Sequence, residues 1–225
     1  MPQKLFIAGT DTGAGKTYIS AGLLKAYQRA GFSAIGVKPL ATGCDSKTDD
    51  ATALISASSI QLDRGTINPF AFAPAIAPHI AAQFANVKLS EKILHEKTRA
   101  ALSHPADVHI IEGVGGWYTP LNNHETMADW VRANHFPVIL VVGIRLGCIN
   151  HAILTVRAML ADKVNVIGWI ANCIDPHMEA LSENIDTLDD WLPIPRLDTV
   201  TFGSEINLSG ITSQISEPTC YLASH

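Results

Sequence analysis

The run Gly9-Thr10-Asp11-Thr12-Gly13-Ala14-Gly15-Lys16-Thr17 places a lysine and a hydroxyl side by side at the end of a glycine-rich turn. A short apolar stretch, Leu5–Ala8, precedes it, and a helical pattern opens at Thr17 and continues to about Ala30. In that context successive backbone N–H groups and the helix N-terminus face one spot, which suits phosphate oxygens. Gly13 and Gly15 let the backbone curl where a Cβ would obstruct it. Lys16 would reach the outer phosphates and the Thr17 hydroxyl would ligate Mg²⁺. The usual phosphate-loop pattern asks for glycine five residues before Gly15, and Thr10 stands there, so the loop is a variant. A dinucleotide reading of Gly13 and Gly15 fails because the third glycine position is Tyr18.

Other chemical residues follow other apolar stretches. Ala34–Val37 leads to Lys38-Pro39-Leu40-Ala41-Thr42-Gly43, and Val108–Ile111 leads to Glu112-Gly113-Val114-Gly115-Gly116. Val138–Val142 leads to Arg145-Leu146-Gly147-Cys148-Ile149-Asn150, and Val164–Ala171 to Asn172-Cys173. Glu112 reads either as a solvated strand end or as the acidic metal ligand that closes a strand beside a phosphate loop. Mg²⁺ takes hard oxygens and keeps several waters, so Thr17, Glu112 and one of Asp49 or Asp50 would suffice. The Gly-x-Gly-Gly after Glu112 lets backbone approach a ligand. Lys38 matters if it faces the terminal phosphate and little if it faces water. Gly147–Asn150 could offer free N–H groups to a carboxylate, or be an ordinary glycine loop with Asn150 capping. His79 and His151 show no metal spacing and read as packing or surface residues.

The elements that must position these residues alternate. Helices are expected at Asp49–Ala57 (capped by Thr48 or Asp49), Ser90–Ser103, Thr126–Asn134, Ile149–Ala161 and, more weakly, Met178–Trp191. Asn68–Pro78 holds three prolines and reads as irregular or edge structure. Alternating strands and helices predict one α/β domain over residues 1–225, a doubly wound, mostly parallel sheet flanked by helices, with ligands at the carboxyl ends of its strands.

Composition narrows the partners. The 225 residues are 47% hydrophobic and only 16% charged, so much of the chain belongs in a core or a subunit interface. A net charge of -5 without a basic block argues against nucleic acid. No apolar run reaches membrane-spanning length and the first residues lack a secretory layout. Cys44, Cys148, Cys173 and Cys220 are too scattered for a zinc site or a disulfide framework, which points to a reducing cytoplasm.

Together the strand-end segments resemble the dethiobiotin synthetase family, P-loop NTPase-type enzymes of biotin synthesis. The matching pieces are Gly9–Thr17, Lys38–Gly43, Asp50, Asn68-Pro69-Phe70, Pro78-His79, Glu112–Pro120, Ala128-Asp129-Trp130 and Leu146–Ala152. The resemblance implies that 7,8-diaminononanoate, CO₂ and ATP give dethiobiotin, ADP and phosphate, through a carbamate and a carbamic-phosphoric anhydride. It implies Lys38 and Lys16 as catalytic residues, Thr17, Asp50 and Glu112 as Mg²⁺ ligands, and Gly13, Ala14, Gly15, Lys16, Thr17 and Tyr18 around the phosphates. Gly113, Val114 and Gly115 would border the nucleotide. Asn172, with backbone near Pro195, Arg196 and Leu197, would read adenine, and Thr42 would contact the diamine. In the homodimer that the resemblance implies, Gly147, Cys148 and Asn150 would receive the substrate carboxylate of the neighbouring subunit. Gly13 is glutamate in some members, so any role of that acid is absent here.

Three other functions compete. Partition and division-site switch ATPases carry a lysine five residues before the loop lysine, where this chain has Asp11. Amide-forming synthetases add a glutamine-hydrolysing domain for which 225 residues leave no room. A non-catalytic nucleotide module would not need Lys38 and Glu112 together.

Overall fold

The computed structural model describes residues 3–44, 49–206 and 211. Six strands form one parallel sheet: β1 (Gln3–Gly9), β2 (Ala34–Val37), β5 (Val108–Glu112), β6 (Val138–Gly143), β7 (Val166–Asn172) and β8 (Arg196–Val200), in the order β2-β5-β1-β6-β7-β8. Two three-residue strands, β3 (Leu40–Thr42) and β4 (Phe70–Phe72), pair in parallel as a separate small sheet. The helices are α1 (Lys16–Arg29), α2 (Asp50–Ala57), α3 (Arg64–Ile67), α4 (Pro78–Phe84), α5 (Glu91–Leu102), α6 (Met127–Ala133), α7 (Cys148–Ala161) and α8 (Leu181–Trp191).

Successive strand residues point to opposite faces, and both faces here are buried. Leu5 and Ile7 of β1 join Ile19, Leu23 and Leu24 of α1 and Leu54 of α2 on one side. Phe6 and Ala8 join Leu94 of α5, Trp130 of α6, Val156 of α7 and Leu188 of α8 on the other. Burial on both faces explains why β6 reads as an unbroken apolar run. Trp130 meets both Phe6 and Phe136 edge to face, with ring centroids 6.3 and 5.2 Å apart.

The expected helices and strands are present with their ends within three residues of expectation, and the doubly wound parallel architecture is the one expected. The helix expected from Met178 starts at Leu181, after Ala180 in the left-handed region. Asp49 caps α2 by accepting from the Thr52 N–H at 3.1 Å; the alternative cap, Thr48, lies outside the described residues, as does Cys220. The proline-bearing stretch 68–78 supplies β4 at the edge of the small sheet and then α4, whose first residue is Pro78. Proline suits that position because the first helical N–H needs no intrahelical partner.

Strand order does the positioning. β1 lies between β5 and β6, so the turn leaving β1 is flanked by Glu112 on one side and by the segment after Gly143 on the other. Neighbours on opposite sides of a strand mark the point where an open α/β sheet opens a crevice at its carboxyl rim.

Candidate active site

Gly13 and Gly15 adopt φ values of +89° and +86°, so both glycines of the loop are in the left-handed region. Gly15 is doubly constrained, because a Cβ there would stand 2.0 Å from Asn172 Nδ2. Asn172, buried at the end of β7, donates that amide to the Ala14 carbonyl at 2.9 Å and supports the loop from below. Ala14 is fully buried. Lys16 Nζ donates to the carbonyls of Asp11 at 2.8 Å and Gly115 at 2.7 Å, tying the loop to the turn after β5. Burial, and then the Lys38 charge, push the Lys16 ammonium down to about 8 against the pull of Glu112, Asp11 and Asp50. An arriving phosphate would reverse that bias.

Thr17, Lys38, Asp50 and Glu112 converge from four elements. Thr17 Oγ1 lies 2.8 Å from Asp50 Oδ1 and 2.7 Å from Glu112 Oε1, with one proton to serve both. Lys38 Nζ lies 2.7 Å from Glu112 Oε1, 2.8 Å from Asp50 Oδ2 and 2.9 Å from the Gly113 carbonyl. Burial draws the Lys38 pKa down, but Glu112 and Asp50 outweigh it and hold the pKa above the ordinary lysine value. Burial likewise opposes ionisation of Asp50, and Lys38 overcomes it, leaving that carboxyl below its ordinary range. So Lys38 faces the cluster rather than water, and Glu112 is buried against Lys38 rather than solvated at a strand end.

The Glu112 Oε2 atom is buried without a hydrogen-bond partner. That orphaned oxygen, beside a half-exposed Asp50 and a hydroxyl, fits a hard cation. Among the described residues no group of three or more His, Cys, Asp or Glu side chains is arranged for a metal. Two carboxylates and a hydroxyl make the sparse set that suits Mg²⁺, which takes its remaining oxygens from phosphates and water.

The Gly-x-Gly-Gly turn after β5 approaches the protein itself. A Cβ on Gly113 would stand 2.8 Å from Phe6 Cζ, and one on Gly116 would stand 3.1 Å from the Thr10 carbonyl oxygen. Val114 is half-buried and its carbonyl accepts from Thr119 at 2.8 Å. Tyr18 is half-exposed and its hydroxyl donates to the Ser204 carbonyl at 2.6 Å, turned toward the segment after β8. Thr42 ends β3 and is half-buried, four residues after Lys38.

Asn172 and the Pro195–Leu197 segment are not brought together. Arg196 enters β8 opposite Trp169, whereas Asn172 is opposite Val200. Three residues of strand separate them, about 10 Å, so Pro195–Leu197 sit toward the amino end of β8 and away from the ligand rim. The Arg196 guanidinium turns to Asp189 of α8, with Nη2 at 2.7 Å from Oδ2. No periodic signal marked β8, and without its register the segment could not be placed.

Gly147, at φ +92°, precedes α7 without a side-chain cap, so Asn150 does not cap the helix. Cys148 is buried, Asn150 is exposed, and Leu146 beside them is 97% exposed. Two residues have roles that the sequence reading did not assign. Asn68 Nδ2 donates to the Lys38 carbonyl at 2.7 Å and fixes the backbone from which the lysine projects. Arg145, noticed only as a strand-end residue, pairs with Asp11 of the phosphate loop.

Residues 3–206 match a family model described as AAA domain. The chain is 48% identical over 200 residues to the ATP-dependent dethiobiotin synthetase BioD of Pseudomonas aeruginosa, covering 87% of this chain and 88% of the relative. It is 44% identical over 218 residues to the protein of that name from Xanthomonas campestris pv. campestris, covering 95% and 97%. Among solved structures it resembles cobyrinic acid a,c-diamide synthase from Mycobacterium smegmatis with bound ADP and magnesium, at a TM-score of 0.55 and 15% identity, over 96% of this chain and 92% of that one. It also resembles the septum site-determining protein MinD from Pyrococcus horikoshii, complexed with Mg-ADP, at 0.53 and 15%, over 89% and 82%. At such identities the likeness is one of fold, the P-loop NTPase type. The division-site relation stops there, whereas the synthetase relation runs through most of the sequence.

Proposed function

Because this chain belongs to the ATP-dependent dethiobiotin synthetase family, we propose that it joins 7,8-diaminononanoate and CO₂ with consumption of ATP, closing the ureido ring of dethiobiotin. One observation carries this function beyond membership: Lys38, Thr17, Asp50 and Glu112 lie within 2.7–2.8 Å of one another in linked pairs beside the phosphate loop.

Thr17, Asp50 and Glu112 are the groups that would hold Mg²⁺, and the unpartnered Glu112 oxygen supports that set. Bound there, Mg²⁺ would offset negative charge on the nucleotide phosphates. The backbone N–H groups of Gly13 to Thr17 and the start of α1 orient those phosphates, and Lys16 meets the outer ones. A substrate amine takes up CO₂ and loses a proton to become a carbamate. Its oxygen attacks the terminal phosphorus and ADP leaves. The second amine then attacks the carbamoyl carbon and phosphate leaves. Lys38 sits where an anionic nucleophile must approach an anionic phosphate, so its fixed charge lowers the repulsion of that encounter. Thr42, at the end of β3, contacts the diamine. Asn172, locked beneath the loop, borders the base together with backbone at the carboxyl end of β8.

The substrate carboxylate goes to the uncapped start of α7, at Gly147, Cys148 and Asn150 of a second copy. Support for a homodimer comes from Leu146 at 97% exposure and Leu154 at 58%, with half-buried Ile149 and Ile153 between them. No helix among the described residues is long and apolar enough to cross a membrane, and use of ATP assigns the reaction to the cytoplasm.

The test is a four-component assay. Dethiobiotin and ADP should form only when the diamine, bicarbonate or CO₂, ATP and Mg²⁺ are all present. ATP turnover that does not depend on the diamine would instead favour a switch ATPase.

A further inference from the structure

Asp11 and Arg145 reach across the phosphate loop from opposite directions. Asp11 belongs to the loop, and Arg145 follows the end of β6 by two residues. Arg145 Nη2 pairs with Asp11 Oδ2. A Cβ built on Gly13 would stand 3.8 Å from Arg145 Nη1, so the same guanidinium also passes the crest of the loop. Its side chain is 41% exposed and that of Asp11 is 27% exposed, so both are open to an incoming ligand.

A carboxylate in a loop built for anions repels the ligand the loop must hold. Arg145 neutralises that carboxylate in the free protein. Part-exposed ion pairs of this kind are weak. Phosphate oxygens offer a guanidinium two parallel charge-assisted hydrogen bonds, which are stronger. The absence of a side chain at Gly13 leaves the space between the guanidinium and the loop crest clear.

We propose that Arg145 is a third phosphate-binding cation of this site, beside Lys16 and Lys38, which Asp11 holds over the loop until the outer phosphates of the nucleotide take that carboxylate's place. The proposal rests on the nucleotide reading of the Gly9–Thr17 loop. It separates from that reading by experiment, because its readout is nucleotide binding and needs no diamine.

Titration calorimetry with ATP and Mg²⁺ on the full chain tests it. Arg145→Ala should weaken binding about ten- to a hundredfold, the range of a charge-assisted hydrogen bond, and Arg145→Lys should recover part of the loss. Asp11→Asn should bind ATP as tightly as the unaltered protein or more tightly, because a competing carboxylate is gone. Of the two substitutions, only Arg145→Ala should thus weaken binding. If Asp11→Asn weakens ATP binding as much as Arg145→Ala does, and both lower the melting temperature alike, the pair is only a strut and the proposal fails. Lys16→Ala serves as the control. Its loss of binding with no effect of Arg145→Ala would overturn the Arg145 role alone, whereas unchanged binding in Lys16→Ala would overturn the nucleotide reading itself.

Discussion

Lys38 Nζ and Glu112 Oε1 meet at 2.7 Å with side chains 2% and 0% exposed, an ion pair sealed from water at the rim of the sheet. Removing Lys38 strands the Glu112 carboxylate, whereas removing Glu112 leaves Lys38 its second ion pair, with Asp50 at 2.8 Å. Lys38→Met should destabilise the protein by about 3–5 kcal/mol, because Glu112 becomes an uncompensated buried charge. The same substitution should cut dethiobiotin formation by at least about a hundredfold, the size of one lost electrostatic stabiliser. Combining Lys38→Met with Glu112→Leu should recover much of the stability and none of the turnover. Denaturant unfolding alongside turnover separates the two effects; native turnover in Lys38→Met would remove this lysine from the chemistry.

The two loop glycines should respond differently to alanine. Gly13→Ala meets only backbone strain, about 1–2 kcal/mol for a side chain in the left-handed region, since its nearest neighbour is 3.8 Å away. Gly15→Ala meets the same strain and also drives a methyl into the Asn172 amide at 2.0 Å. It should displace Asn172 from the Ala14 carbonyl and abolish measurable ADP binding, while Gly13→Ala retains it. Equal behaviour of the two variants would mean that the contact with Asn172 is dispensable.

Thr17 offers a conservative contrast. Thr17→Val keeps the shape and loses the oxygen, so about ten- to a hundredfold more Mg²⁺ should be needed for half-maximal activity, the range of a lost bond to a charged group. Thr17→Ser should stay near the unaltered protein. A Mg²⁺ titration of the three proteins decides it, and an unchanged requirement in Thr17→Val would exclude the hydroxyl from the metal set.

Leu146 stands almost wholly in solvent next to the start of α7. Leu146→Glu should therefore shift a dimer toward monomer in sedimentation velocity and lower activity with it, while leaving the melting of the isolated subunit unchanged. A fully active, fully dimeric Leu146→Glu protein would place the interface elsewhere.

His109 of β5 is fully buried and neither ring nitrogen has a hydrogen-bond partner. Burial first, and then the Lys4 charge, hold its pKa below the ordinary value of 6.5. As pH falls below about 6.5, the unfolded chain takes up a proton that the folded chain refuses. Stability is thus full above that pH and declines as pH drops toward the depressed folded pKa. His109→Leu should remove this part of the acid sensitivity and gain on the order of 1 kcal/mol at neutral pH by deleting unpaired polar atoms. Denaturant melts at pH 7.5 and 5.5 compare the slopes, and parallel slopes would rule out the imidazole as their source.

The readable parts of this chain were those whose cause is local. Gly13, Gly15, Lys16 and Thr17 announce a phosphate loop because glycine takes its left-handed backbone angles without strain and a cation and a hydroxyl serve its ligand. The apolar runs at Leu5–Ala8 and Val138–Val142 announce buried strands because both of their faces lie against helices. β3 and β4, with three residues each, are too short for a period to register, and they appear only because each pairs with the other. Pro195–Leu197 looked like part of a nucleotide pocket until the register with β7 set them three residues below Asn172.

By itself, then, the sequence determined which residues stand at strand ends and what chemistry each could do, since hydrophobic pattern and residue type are properties of neighbours along the chain. Only the tertiary structure decided which of them meet. The order β2-β5-β1-β6 sets Glu112 and Arg145 on opposite flanks of one loop, and burial then turns Lys38 inward to the two acids, because a charge removed from water is held only where an opposite charge lies within reach.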